Sequence, residues 1–254
     1  MKKLLQFGLL LTAFFTLFGR AQADETSTET QVIDARVVRV KIDGMLDLKV
    51  RQGAVPSLTI TADKTVLAKL TAVQSGDTLH FDTESHGFKF SRSSGARAVL
   101  VLPALREVVS DGVGSTEING FSGEQIDLTL EGAGSMKMTC DYKKLKANLG
   151  GVGSMTLWVS ENDSVDLDLR GAGYITIGGH SKMLNATLGG LGSLNAQQLQ
   201  ADSATVELSG LGNATVSAKT NATLNLSGLG SVTVYGKPLN RNVSVDGLGK
   251  VTWK

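Results

Sequence analysis

The chain has 254 residues and a mass of 26.7 kDa, and its 25 basic side chains nearly balance 24 acidic ones. This balance gives no electrostatic reason for the chain to bind nucleic acid or an anionic lipid surface. Glycine is abundant, with 30 residues against 3 prolines, but it does not recur at every third position as in collagen. The composition therefore favours a globular chain with many turns.

Residues 1–23 have the organisation of a bacterial signal peptide. Two lysines precede an almost unbroken apolar run, Leu4–Phe18, and the small residues Ala21 and Ala23 stand where a signal peptidase cuts. The alternative is a membrane anchor, but this run is short for a bilayer span of about 20 residues. We expect cleavage between Ala23 and Asp24, export to the periplasm or surface of a bacterium, and no transmembrane span in the mature chain.

Cys140 is the only cysteine, which excludes an internal disulfide and a cysteine-rich zinc site. In an oxidising compartment this thiol is either the partner of a cysteine in another molecule or an inert side chain in a strand or turn. The sequence favours the inert side chain.

A Gly-x-Gly unit recurs eight times along the second half of the chain, at an almost constant interval. A repeat of constant length is the sequence signature of stacked structural units. The units begin at Gly112, Gly132, Gly151, Gly171, Gly190, Gly210, Gly228 and Gly247.

Apolar residues occupy fixed positions around the seven units from Gly132 onward, two and four residues before the first glycine and four and six residues after it. This alternation predicts a strand on either side of a glycine turn, with residues such as Leu169 and Leu188 in the core. Stacked pairs of this kind bury one continuous core, so we predict an all-β, right-handed parallel β-helix (a β-solenoid) with rungs of about 19–20 residues. The corners require glycine, because the backbone there either adopts a positive φ or approaches another backbone closely. The residue between the glycines, always Val, Ala or Leu, is expected to fill the corner from inside.

The region before the repeat is β-rich but less regular. Alternating strands separated by turn signals occupy 32–110, with one segment, 63–70, able to form a short helix. This region either starts the solenoid or caps its first rung. We expect residues 24–31 to be a disordered tail, 111–254 to be the regular solenoid, and 32–254 to form one continuous domain.

Three stretches carry a resemblance to a known family. They are the alternating segment 37–60, the segment Val101–Leu105 that leads to Asp111-Gly112-Val113-Gly114-Ser115, and the run of Gly-x-Gly turns followed by serine. Over residues 33–250 the chain resembles the bacterial putative auto-transporter adhesin, head GIN domain family. The resemblance implies an exported, right-handed β-helix-like fold, and the family's name implies adhesion. It supplies no catalytic residue, ligand residue or cofactor.

Two cofactor sites suggested by the glycine pattern are disfavoured. A dinucleotide loop requires a third glycine and a following helix, whereas Gly171-Ala172-Gly173 is followed by Tyr174-Ile175-Thr176 and by strand periodicity. Calcium-binding nonapeptide repeats need Asp two residues after the last glycine, where this chain has residues such as Met155 and Leu194. We therefore predict no cofactor and no metal.

The three histidines, His80, His86 and His180, share no spacing typical of zinc ligands or of a nucleophile and its base. Their pattern predicts no catalytic histidine.

The outward positions before the glycines contain two carboxylates, Asp166 and Asp168, on one rung, with Glu207 two rungs further along. Acidic clusters on the faces of β-helices can act as the acid and base of polysaccharide-cleaving enzymes. The alternative is that they are solvated, because the constant rung length leaves no insertion to form a cleft. The second interpretation is favoured, so no catalytic residue is predicted.

The same positions form a flat ladder of Asn, Thr, Ser and Asp, which is suited to a repeating polymer such as a glycan. The alternative is that these residues only suit exposed stacked strands. The candidate ligand-binding residues are Asn148, Asp166, Asp168, Thr187, Glu207 and Asn225.

The sequence as a whole predicts a noncatalytic, exported binding or adhesion module of the bacterial cell envelope, with a glycan or an envelope protein as its partner and no nucleic acid. One alternative is an enzyme acting on a polysaccharide at Asp166 and Asp168. Another is a periplasmic structural partner in envelope assembly that forms a homo-oligomer through the solenoid ends.

Overall fold

The computed structural model describes residues 26–83 and 95–254. The expected signal peptide, its cleavage site between Ala23 and Asp24, and His86 lie outside these residues. The described residues are 74% strand and 2% helix, and they form a β-solenoid of about 7 turns. This confirms the predicted fold class.

The regular part of the chain consists of strands that run parallel to one another, one rung above the next. Each of the first six is long because the strand leaving one glycine turn continues through a bend to the next turn. The strands are β9 (Val113–Leu130), β10 (Ala133–Leu149), β11 (Ser154–Leu169), β12 (Tyr174–Leu188), β13 (Ser193–Leu208), β14 (Asn213–Leu226), β15 (Ser231–Tyr235), β16 (Asn240–Val245) and β17 (Lys250–Trp253).

Equivalent residues of successive rungs lie directly above one another and form columns. Met136, Met155 and Ile175, for example, are consecutive register partners and are all buried. The four predicted apolar columns are buried throughout, except in the last rung, where Val243 and Val245 are 41% and 45% exposed. The repeat pattern therefore identified the core of the solenoid correctly.

The N-terminal part both starts the solenoid and closes its first end. Strands β2 and β3 extend the parallel stack below β8 and β9, and strands β4 and β5 pair antiparallel with β7 and β6. The short helix falls within the predicted segment and buries Val66. The elements are β1 (Thr26–Val32), β2 (Arg39–Asp43), β3 (Leu46–Gln52), β4 (Ser57–Asp63), α1 (Lys64–Leu67), β5 (Leu70–Ser75), β6 (Thr78–Thr83), β7 (Ala96–Leu102) and β8 (Glu107–Ser110).

The expectation of a disordered tail over 24–31 is wrong for the residues that the structure describes. Thr26–Val32 form strand β1, which pairs antiparallel with β4 over its whole length. This polar segment buries almost no side chain, so its strand is held by the backbone hydrogen bonds of the β4 edge rather than by hydrophobic packing.

Close backbone approach is the main reason for glycine in the turns. A Cβ added to Gly190 would lie within 3.0 Å of the carbonyl oxygens of Arg170 and Gly171 in the preceding rung, and the other first glycines are crowded in the same way. Of the sixteen turn glycines, two have a φ in the left-handed region, Gly114 and Gly247. Any side chain on a first glycine would therefore push two rungs apart.

The expectation that the residue between the glycines fills the corner from inside is wrong. These eight residues point into solvent and stand in one column along the edge of the solenoid, which we name the turn ridge. Its members are Val113, Ala133, Val152, Ala172, Leu191, Leu211, Leu229 and Leu248, and all of them are exposed.

Candidate binding surfaces

All six candidate ligand-binding residues lie on one face of the solenoid. Asn148, Asp168, Thr187, Glu207 and Asn225 are successive register partners and form one column over five rungs. Asp166 stands in the neighbouring column, two residues from Asp168. Strand pairing therefore brings together residues that are far apart in the sequence, as the repeat predicted.

Hydrogen bonds between rungs fix the side chains of this polar face. The Asn185 amide donates to Asp166 Oδ1 over 2.7 Å, and the Asn148 amide donates to Thr129 Oγ1 over 3.3 Å. Such bonds hold neighbouring side chains at the spacing of the strands, about 4.8 Å. At these two places the donors and acceptors of the face are therefore held in a fixed order.

The two carboxylates that could form a catalytic pair each have local partners. Arg170 donates through both Nε and a terminal nitrogen to Asp168, over 3.0 Å and 2.8 Å. This hydrogen-bonded pairing raises the pKa of Arg170. Asp166 accepts from Ser164 Oγ at 3.0 Å as well as from Asn185. Both side chains thus act as hydrogen-bond acceptors within the face.

A shallow depression of about 320 Å³ lies beside the glycine turns and contains three of the six candidates, Thr187, Glu207 and Asn225. Asn148, Asp166 and Asp168 lie outside it. Two carboxylates and several hydroxyl groups make the depression rich in acceptors, and they suit a ligand that carries many hydroxyl groups. Its other lining residues are Leu208, Ser209, Leu226, Ser227, Ser244 and Asp246.

A second concave surface, which we name the charged trough, was missed by sequence reasoning. It has a volume of about 1400 Å³ and follows the bend of the strands opposite the glycine turns. One column in it alternates in charge from rung to rung, with Lys143 2.7 Å from Glu124 and Lys182 2.6 Å from Asp163. The column consists of Glu124, Lys143, Asp163, Lys182, Asp202 and Lys219.

The alternation of charge is visible in the sequence once the rung length is known. From Glu124 to Lys219, each successive rung contributes one of these residues, and its sign is opposite to that of the rung before. Like charges directly above one another would repel, whereas opposite charges attract. Accordingly, the hydrogen bond between Asp163 and Lys182 lowers the pKa of Asp163 and raises the pKa of Lys182.

Asn162 lines the charged trough but is itself 4% exposed. Its amide nitrogen donates to the Tyr142 carbonyl over 2.7 Å, while its Oδ1 is buried without a partner among the described residues. Asn162 therefore ties two neighbouring rungs together at the bend through its amide nitrogen.

Cys140 points into the core from β10. Burial raises the pKa of its thiol to about 11, so that the reactive thiolate is scarce at neutral pH. These properties favour the inert side chain over a disulfide between molecules.

The remaining titratable groups give no metal centre in the described part of the chain. In residues 26–83 and 95–254, no group of three or more His, Cys, Asp or Glu is arranged to hold a metal ion. His80 bonds to Asp43, and His180 lines the charged trough. No helix within the same ranges is long and apolar enough to span a membrane.

Solved structures of similar fold include three from Parabacteroides species. A putative adhesin from Parabacteroides distasonis superposes with a TM-score of 0.79 at 20% identity, covering 91% of this chain and 97% of that one. A putative adhesin from Parabacteroides merdae gives 0.75 at 19% identity, with coverages of 91% and 96%. A putative lipid binding protein from Parabacteroides distasonis gives 0.75 at 22% identity, with coverages of 89% and 96%. At these identities the likeness establishes the fold.

No curated protein matches the sequence significantly. The family described as "Putative auto-transporter adhesin, head GIN domain" matches residues 38–238, which include strands β2 to β8 and most of the regular rungs. This range contains the six candidate residues of the polar face, the charged trough and all but the last member of the turn ridge. The chain belongs to this family.

Proposed function

We propose that the protein is a noncatalytic, exported binding or adhesion module of the bacterial cell envelope, and that it binds through the polar face. The observation that carries this proposal is the unbroken register of that face, in which Asn148, Asp168, Thr187, Glu207 and Asn225 stand one above another. A flat, repeating surface suits the adhesion that the family's name describes.

The ligand class that best fits the face is a glycan or another linear polymer rich in hydroxyl groups. Side chains about 4.8 Å apart repeat along one direction, so an extended polymer meets the same kind of group many times. Each single contact is weak, but several contacts along one chain add up. The depression at Thr187, Glu207 and Asn225 is where such a polymer is held most firmly.

The arrangement of the carboxylates favours binding over cleavage. An enzyme that cleaves polysaccharides needs a proton donor and a base or nucleophile directed at one bond. Here Asp168 is paired with Arg170 and Asp166 with Asn185, and the surface around them is flat. Water is therefore not excluded from any reacting bond.

Replacement of three residues in the depression tests the proposed surface. In a panel of immobilised polysaccharides, the variant Thr187→Ala, Glu207→Gln, Asn225→Ala is expected to bind at least tenfold more weakly than the wild type, because it loses several hydrogen bonds of about 0.5–1.5 kcal/mol each. The matched control is Glu124→Gln, Lys143→Gln, which removes an exposed ion pair on the opposite bend.

The control is expected to bind within twofold of the wild type. Equal losses in both variants, or no binding of any polysaccharide by the wild type, would contradict the proposed surface. Release of new sugar ends during incubation, abolished by Asp166→Asn, Asp168→Asn, would instead support the enzyme alternative.

Treatment of intact cells with protease tests the proposed export and distinguishes its two destinations. If the chain is an adhesin at the cell surface, the protease is expected to degrade it while a known periplasmic protein stays intact. Protection until the outer envelope is broken indicates the periplasm and an envelope partner. Protection until the cytoplasmic membrane is lysed would show that the chain is not exported.

A further inference from the structure

The turn ridge is an apolar strip that nothing in the described chain covers. Apolar residues (Val, Ala or Leu) occupy all eight positions, and the exposed fraction reaches 68% at Leu191 and 82% at Leu248. Single exposed apolar residues are ordinary, but a contiguous line of them marks an interaction surface. The larger side chains are concentrated in the second half of the ridge, where all four residues are leucine.

The fold itself does not require these residues to be apolar. The turn is held by the backbone, since the N–H groups of Val152, Leu211 and Leu229 donate to glycine carbonyls of the preceding rung over 3.2 to 3.3 Å. The side chains point away from the core, so serine or lysine would fit the same turns. The uniform apolar character therefore serves something outside the solenoid.

The shape of the ridge identifies the kind of partner. The ridge is convex and one side chain wide. Its eight positions span seven intervals of about 4.8 Å, so the strip measures roughly 34 Å by 10 Å. A strip of this size is well below the roughly 800 Å² that each partner buries in a stable protein complex. A lipid surface, in contrast, rearranges around a convex apolar edge and receives it to a depth of several ångströms.

The residues beside the leucines also suit a lipid surface. Around Leu191, Leu211 and Leu229 the flanking positions are small and uncharged, so no charge must be desolvated when these leucines enter the interface. Tyr174, 54% exposed, stands at the beginning of this half, and tyrosine is favoured at the level of lipid headgroups. The flanking residues are Gly189, Ser209 and Ser227 on one side and Ser193, Asn213 and Ser231 on the other, and those of Leu248 are Asp246 and Lys250, of opposite charge.

We propose that the leucine half of the turn ridge, formed by Leu191, Leu211, Leu229 and Leu248, docks on the surface of a lipid bilayer. Docking is driven by burial of apolar side chains and not by charge, so it includes zwitterionic lipids and is insensitive to salt. The polar face borders this half of the ridge, because Ser209, Ser227 and Asp246 flank the leucines and also line the depression, but the ligand of the polar face is not needed for docking.

Vesicle binding tests this proposal with the full chain from Asp24 and vesicles of phosphatidylcholine. The wild type is expected to co-sediment with the vesicles, with less than a twofold change between 0.05 M and 0.5 M NaCl. The variant Leu191→Ser, Leu211→Ser, Leu229→Ser is expected to lose at least tenfold in binding. The matched control, Val55→Ser, Val73→Ser, Met183→Ser, removes three exposed apolar side chains that lie off the ridge and keeps the binding.

A second measurement does not depend on loss of binding. A polarity-sensitive fluorophore on Leu211→Cys is expected to shift to shorter wavelength when vesicles are added, while the same probe on Val73→Cys does not shift. The proposal is overturned if the wild type does not co-sediment, if both triple variants lose binding equally, or if salt releases the protein. A dimer that the ridge variant abolishes in the absence of lipid would likewise overturn it and assign the ridge to a second copy of the chain.

Discussion

Replacing Gly190 with alanine is expected to lower the free energy of unfolding by about 3 kcal/mol. The added methyl group would lie against the carbonyl oxygens of Arg170 and Gly171, which belong to the backbone and have no freedom to rotate away. The two rungs must therefore separate locally, which weakens the hydrogen bonds between them. Urea unfolding followed by far-UV circular dichroism measures the effect.

The neighbouring Gly189 provides a matched control within the same turn. An added Cβ there would have Ser209 Oγ at 3.8 Å and Arg170 Cγ at 3.9 Å as its nearest atoms, both at ordinary contact distance. Gly189→Ala is expected to be neutral or to stabilise the protein by up to about 1 kcal/mol, because alanine restricts the unfolded chain more than glycine does. Similar destabilisation by both substitutions would show that close approach of rungs is not what selects glycine at Gly190.

Leu188→Ala is expected to cost about 2–5 kcal/mol, because it removes a side chain that is 2% exposed and leaves a cavity between rungs. Leu191→Ala, three residues later and 68% exposed, is expected to change stability by less than about 0.5 kcal/mol. Leucine is replaced by alanine at the end of a strand in one variant and within the next turn in the other. A comparison of their unfolding midpoints therefore distinguishes a core residue from a residue of the turn ridge.

A loss of stability on Leu191→Ala as large as that expected for Leu188→Ala would indicate that the ridge packs against the chain after all. A loss of vesicle binding alone, with unchanged stability, agrees with docking to lipid. Both variants keep the backbone of the turn intact, so neither effect can arise from the glycines.

The sequence was sufficient to predict the core, the register and the polar face, because one short period determines all three. Leu169 and Leu188 are buried as equivalent residues of successive rungs, and Asp166 lies beside Asn185 as the spacing required. The same alternation also predicts the orientation of the turn residue. Leu188 and Leu194 point inward, and Leu191 is three residues, an odd number, from each of them, so its side chain points outward.

Features that depend on something other than the period were not predicted. Strand β1 has no apolar alternation and exists because β4 offers an unpaired edge. The charged trough was missed because its charges stand a whole rung apart in the sequence, and their alternation has meaning only after the rungs are stacked. The depression near Glu207 depends on how far the neighbouring turns project from the surface, and the repeat pattern in the sequence does not determine that.

The alternating charges of the trough also bear on how the chain folds. Repeat proteins are prone to misassembly, and in a solenoid of nearly equal rungs one form of it would stack a rung on its second neighbour and loop out the rung between. Omission of the rung that carries Asp163 would place Lys143 against Lys182, and omission of the rung that carries Lys143 would place Glu124 against Asp163. Either omission brings like charges to the separation of paired strands, where they repel. The charged column thus disfavours the omission of an odd number of rungs, whereas the apolar core, with Met, Ile and Leu in equivalent places, does not distinguish it.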